Sequence, residues 1–170
     1  MIFLLILIAL LTLFVIFGTF FYIIPSFFGA AYEGSDRKTI EKMIRISGNL
    51  KGKKIVDIGS GDGRIIIEFA EKGAKAEGYE INPLLVLFSR YKIKKLNLQK
   101  KAKINYLSFW KTNLNKYDIV VTFPISYLMK KLEKKIKKEC KKGTIILSNK
   151  WEFEHFKLIK RDGRVKAYRV

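Results

Sequence analysis

Cysteine is almost absent from this chain of 170 residues, where Cys140 stands alone. An internal disulfide and a cysteine-rich zinc site are thereby excluded. Histidine is as scarce, with His155 the only one, and no metal site is expected. Charge is missing altogether from Met1 to Phe28, and the first charged residue is Glu33. No basic segment precedes the apolar run, which argues against a cleaved signal peptide. Acids are in short supply, 15 Asp+Glu against 34 Lys+Arg, for a net charge of +19. The chain has no internal repeat and no low-complexity linker. Its glycine turn lacks a Gly-Lys-Ser/Thr ending, so a phosphate-cradling P-loop is excluded as well.

What is present divides in two. Ile2 to Ile24 is dense in Leu, Ile and Phe and long enough to cross roughly 30 Å of hydrocarbon as a helix. Residues 1–28 are therefore expected to form a transmembrane anchor and residues 29–170 a single domain. Arg37, Lys38, Lys42 and Arg45 follow the span closely and no basic residue precedes it. That asymmetry predicts a single-pass membrane protein with its domain in the cytoplasm. A basic surplus of this size favours acidic partners, although a coding bias toward isoleucine and lysine would produce the same surplus. No specific nucleic-acid site is expected. The lysine-rich segment Lys130 to Lys142 reads as a solvated helix face, with contact to anionic lipid as its functional alternative.

The stretch Ile55 to Glu80 organises the domain. Ile55, Val56 and Ile58 make a short apolar strand, and Gly59, Ser60, Gly61, Asp62 and Gly63 a turn. Arg64 to Lys72 has helical spacing, and a second strand ends at Tyr79 and Glu80. Glycines between a strand and a helix let the backbone approach a ligand at the helix N-terminus. An acid ending the second strand, about 20 residues on, is placed to accept from ribose hydroxyls. The spacing Gly59, Gly61, Gly63 after Asp57 is not the G-x-G-x-x-G of dinucleotide folds. D-x-G-x-G-x-G with a strand-end acid is the pattern of class I methyltransferases, which bind S-adenosylmethionine. That ligand carries a sulfonium and an ammonium and no phosphate, so acids around the turn make electrostatic sense.

Further elements follow in alternation. Ser35 or Asp36 caps a helix from Arg37 to about Ile46. Asn82-Pro83 starts another, with Leu84, Leu87, Phe88, Tyr91 and Ile93 expected to pack inward, ending near Asn97. Strands are predicted at 102–107, 116–123 and 144–148, and a helix at 127–142. A hairpin is predicted around Asp162-Gly163. The expected fold is α/β, a Rossmann-like class I methyltransferase sheet with helices on both faces, preceded by the transmembrane helix.

At the level of whole motifs the domain resembles the ATP synthase c-subunit lysine N-methyltransferase family and its archaeal protein lysine methyltransferase relatives. VDIGSGDGRIIIEFA at 56–70, GYEINPLLVLFSR at 78–90, the FWK at 109–111 and KKGTIILSNKWEF near the end carry the likeness. The resemblance implies a membrane-anchored enzyme that methylates lysine side chains of a protein, itself expected to be membrane-associated. Asp57 and Asp62 would face the methionine portion of S-adenosylmethionine and Glu80 the ribose. Gly59, Ser60 and Gly61 would approach by backbone, and Ile81 and Phe109 would sandwich the adenine. Tyr32 and Ser35 match the family's pre-domain segment in type. Ser108 stands where many members have an acid that pairs with the adenine amino group. Trp110, Phe123 and Pro124 would wall a dry acceptor channel, and no catalytic base is required. Two other readings stay open: methylation of a lipid head group or small amine, and a basic membrane-tethered binding module with a vestigial cofactor site.

Overall fold

Five parallel strands and an antiparallel hairpin form one sheet of order β3-β2-β1-β4-β5-β7-β6 in the computed structural model, which describes residues 1–28, 34–123 and 126–170. The strands are β1 (Lys54–Ile58), β2 (Lys75–Glu80), β3 (Ala102–Tyr106), β4 (Ile119–Thr122), β5 (Ile145–Asn149), β6 (Lys157–Asp162) and β7 (Val165–Arg169). The helices are α1 (Ile2–Phe28), α2 (Arg37–Ser47), α3 (Arg64–Glu71), α4 (Pro83–Lys95) and α5 (Met129–Glu139). The strand–helix alternation puts the carboxyl ends of β1, β2, β4 and β5 along one edge, where open α/β sheets bind ligands. The expected doubly wound sheet is the one found.

The central strands are apolar without alternation because both faces are covered. Ile55, Val121 and Leu147 pack with Ile40 and Met43 of α2, Ile66 and Phe69 of α3, and Val86 and Ile93 of α4. Val56, Val120 and Ile146 pack on the other face with Leu132 and Ile136 of α5, Leu114 and Phe153. Asp36, not Ser35, caps α2, its carboxylate accepting from the Thr39 N–H at 2.7 Å. Cys140 is half-buried at the end of α5, and burial pushes its thiol up to about 12, as suits a packing residue.

Several expectations need correction. α4 buries Val86, Ser89 and Ile93, whereas Leu84, Leu87, Phe88 and Tyr91 are turned outward. β4 is shorter than expected because residues 114–117 turn before it, the Tyr117 N–H donating to the Leu114 carbonyl at 3.2 Å. The helix after β4 begins at Met129, preceded by a 3-10 turn over Ser126–Leu128. α1 is exposed along residues 1–19, and its Ile2–Thr19 stretch is long and apolar enough to cross a membrane.

Candidate functional site

The bend after β1 is held in place by the strand next to it. The N–H groups of Gly59 and Ser60 both donate to the Tyr79 carbonyl, at 2.9 and 3.0 Å. Gly63, at φ +77, opens α3 against α4, where a Cβ would lie 2.7 Å from that of Ser89. Gly78 of β2 faces the bend, and a Cβ there would fall 2.5 Å from Ser60 Oγ. Gly59 has open space on the side where a Cβ would project. The glycines thus draw α4 and β2 onto the turn and leave its outer face free for a ligand.

Glu80 closes the arrangement. Its Oε2 accepts from the Gly61 N–H at 2.8 Å, and its Oε1 from the N–H groups of Ile81 and Asn82, each at 2.8 Å. A carboxylate offers about four lone-pair directions, so the three backbone bonds leave capacity for one further donor. The Leu107 N–H donates to the Glu80 carbonyl at 3.1 Å, which brings the segment carrying Ser108 and Phe109 beside it.

The two aspartates differ. Asp57, opposite Gly78 in the ladder, is buried with no cation or hydrogen-bond donor on its carboxyl among the described residues. Burial first, and then the Glu80 and Asp62 carboxylates, raise its pKa well above the usual carboxylate range. Asp62 binds Arg64 Nε at 2.9 Å and Lys92 Nζ at 3.0 Å. Burial pushes its pKa up, but the bonds from Arg64 and Lys92 outweigh it and hold the group at about 2. Arg64 also donates to the Ser35 carbonyl at 3.1 Å, tying the segment before α2 to the turn.

These positions suit a cation better than a phosphate. An anion here would meet the carboxyl groups of Glu80 and Asp57, whereas a positive group next to Asp57 supplies the missing counter-charge. Ser60 Oγ is a second unmet demand, being buried without a partner among the described residues. A ligand carrying ammonium, sulfonium and hydroxyl groups therefore fits the donor set.

Asp57, Gly59, Ser60, Gly61, Glu80 and Ile81 are brought together at this edge, and Ser35, Ser108 and Phe109 border it. Asp62 is occupied by its cations. Trp110 stacks on Phe109 at 4.5 Å between centroids, but Lys131 lies over its ring and Lys135 binds its carbonyl, which draws it toward α5. Phe123 is half-buried just past β4. Tyr32 and Pro124 lie outside the described residues. Sequence reasoning missed Gly78, Ser89 and Lys92 as supports of the turn. A glycine inside a strand is itself a signal of close approach, while nothing local marks Ser89 or Lys92. It also missed Asn149, buried at the end of β5 with no partner for its Oδ1 among the described residues. A separate cavity of about 230 Å³ opens at the opposite edge beside Lys53, Asp118 and Lys141. Its carboxylate is already paired with Lys141, and the amino ends of parallel strands are not where such sheets bind ligands.

A family model described as the ANTKMT methyltransferase domain matches residues 57–160. The ATP synthase c-subunit lysine N-methyltransferase of Homo sapiens is 38% identical over 119 residues, covering 70% of this chain and 51% of that protein. The chain spans about half the length of the mammalian relatives it matches. A protein-lysine N-methyltransferase of Saccharolobus islandicus (strain REY15A) is 29% identical over 123 residues, 71% of this chain and 76% of that protein. Among solved structures, an RNA methyltransferase from Salinibacter ruber in complex with S-adenosyl-L-homocysteine aligns with a TM-score of 0.72 at 20% identity. It covers 81% of this chain and 92% of its own, a likeness of fold.

Proposed function

The chain belongs to the ANTKMT methyltransferase domain family, and from that footing we propose that residues 29–170 transfer a methyl group from S-adenosylmethionine to a lysine side chain of a protein. Residues 1–28 serve as a single-pass membrane anchor that keeps the domain on the cytoplasmic side. The observation that carries the reading is the Glu80 carboxylate bonded to the Gly61 N–H beside the buried, cation-free Asp57. The names of the lysine-methylating relatives support the acceptor.

The bound cofactor supplies a methyl group already activated by its sulfonium. Glu80 takes a ribose hydroxyl on its remaining lone pair, and Asp57 compensates the cationic end. Ser60 offers its hydroxyl, and Ile81 and Phe109 flank the base. The acceptor nitrogen would have to arrive deprotonated, with its lone pair free to accept the methyl group. A free lysine has a pKa of about 10.4, and a dry, positively biased pocket lowers it. Phe109 and Phe123 supply that wall, with Trp110 packed against Phe109, and hold the amine in line while excluding water. The product amine releases its proton to solvent, so no side-chain base is needed.

Calorimetric titration of the full chain with S-adenosylmethionine tests the site, with Glu80→Ala as the variant expected to weaken binding roughly 100-fold. Transfer of a labelled methyl group to membranes tests the acceptor. Label in the protein fraction is expected, and label in lipid alone would assign the acceptor to head groups instead.

A further inference from the structure

α4 is built inside out for a helix of a soluble domain. Its covered side carries Val86, Ser89 and Ile93. Leu84, Leu87, Phe88 and Tyr91 are 50%, 62%, 52% and 61% exposed. At helical spacing these four fall within an arc of about 100°, a continuous apolar stripe facing solvent. Of the nine large exposed hydrophobic side chains described after residue 33, seven lie between Leu84 and Leu107; the others are Leu96, Tyr106 and Leu107 in this stretch and Tyr127 and Leu158 outside it. Scattered exposed apolar residues need no explanation, but a collected patch does.

The charge around the stripe identifies what it meets. From Ile81 to Tyr117 the chain has nine Lys and Arg and no Asp or Glu. Lys94, Lys95, Lys100 and Lys101 are exposed and make no ion pair among the described residues. A second copy of this chain would bring like charges face to face across the stripe. An anionic bilayer satisfies both halves of the pattern, acyl boundary for the leucines and aromatics, phosphates for the lysines. α5 shows the contrast: it is as rich in lysine, but its apolar side chains Leu132 and Ile136 are buried under the sheet and its Lys135 is engaged by Glu139.

We propose that α4, with the end of β3, is a membrane-interface surface that seats the domain on an anionic lipid bilayer. Leu84, Leu87, Phe88 and Tyr91 enter the interface, and Lys94, Lys95, Lys100 and Lys101 bind lipid phosphates. The surface goes beyond the methyl-transfer reading and stands without it. α4 starts three residues after Glu80, so the bend is presented close to the head groups, where the side chains of an embedded protein emerge.

The test uses the full chain reconstituted into phosphatidylcholine vesicles with and without phosphatidylglycerol. An NBD label is attached at Leu87→Cys, or at Lys138→Cys on α5 as reference, both in a Cys140→Ala background with circular dichroism as the check on folding. In vesicles containing phosphatidylglycerol, the label at 87 is expected to shift to the blue and to be quenched several-fold more than the reference by lipids spin-labelled near the head group. High salt or Lys94, Lys95, Lys100 and Lys101→Gln should reverse this. Water-like emission at 87 overturns the proposal. So does a blue shift without lipid quenching, because it places protein, a second copy or α1, over the stripe. The readout needs no methyl transfer, so loss of activity with the label result intact would remove the enzymatic reading and leave the surface.

Discussion

Asp57 and Asp62 lie on either side of one glycine turn and have opposite surroundings. Asp62, leading into α3, sits between Arg64 and Lys92, and its carboxylate is charged under all ordinary conditions. Asp57, at the end of β1, is more deeply buried and has only other carboxylates for electrostatic company. A structural acid comes with its counter-charge supplied by the chain. An acid left without one destabilises the empty protein and becomes favourable once a cation arrives. The difference separates the part of the turn that holds the fold together from the part proposed to receive the ligand.

Glu80 spans both roles, so its removal should have the largest effect. Glu80→Ala leaves the N–H groups of Gly61, Ile81 and Asn82 without their acceptor. Affinity for S-adenosylmethionine is expected to fall roughly 100-fold in calorimetry, and an unchanged affinity would remove Glu80 from the site. Asp62→Asn should next lower stability by about 2 kcal/mol in urea unfolding. The sign of its pH dependence is fixed by a folded pKa of about 2, below the ordinary value of 3.8 that the unfolded chain has. Its contribution is present above that unfolded value and is lost as pH falls toward 2, so wild type and Asp62→Asn should converge in acid. Asp57→Asn should behave in reverse, weakening cofactor binding by roughly tenfold while leaving the melting temperature unchanged or higher. Because the folded pKa of Asp57 is raised, wild-type stability without ligand should decline as pH rises through it, and the variant should lack that decline. A lower melting temperature with unchanged affinity would erase the distinction between the two acids. Ser60→Ala should be the mildest, within about 0.5 kcal/mol in stability, since its hydroxyl has no partner to lose. A small loss of affinity in calorimetry would sharpen its place on the ligand side.

The turn was legible in the sequence because its determinants are local: glycine spacing, the preceding acid and the acid ending the next strand. The α/β class followed from the alternation of strands and helices. The orientation of α4 was not legible. A periodic stripe shows that a helix has two sides and does not say which one is inside. Here Gly63 pulls α4 so close to the turn that Ser89 is all the inner side accommodates at the contact, and the bulky residues are left outside. The direction of Trp110 was hidden for a similar reason, since it is set by Lys131 and Lys135 from a helix more than twenty residues away.

Among the described strands β7 is made after the other six, yet it lies between β5 and β6 rather than at a rim. β6, its hairpin partner, ends on Asp162, which engages Lys42 and Arg45 of α2, so an early helix docks against late backbone. During synthesis β5 must keep an open flank until residue 169 has emerged from the ribosome. By then the N-terminal segment has long been available to the membrane. If residues 1–28 anchor the chain as proposed, its tertiary structure would be completed while it is already tethered, making the lipid surface its place of folding.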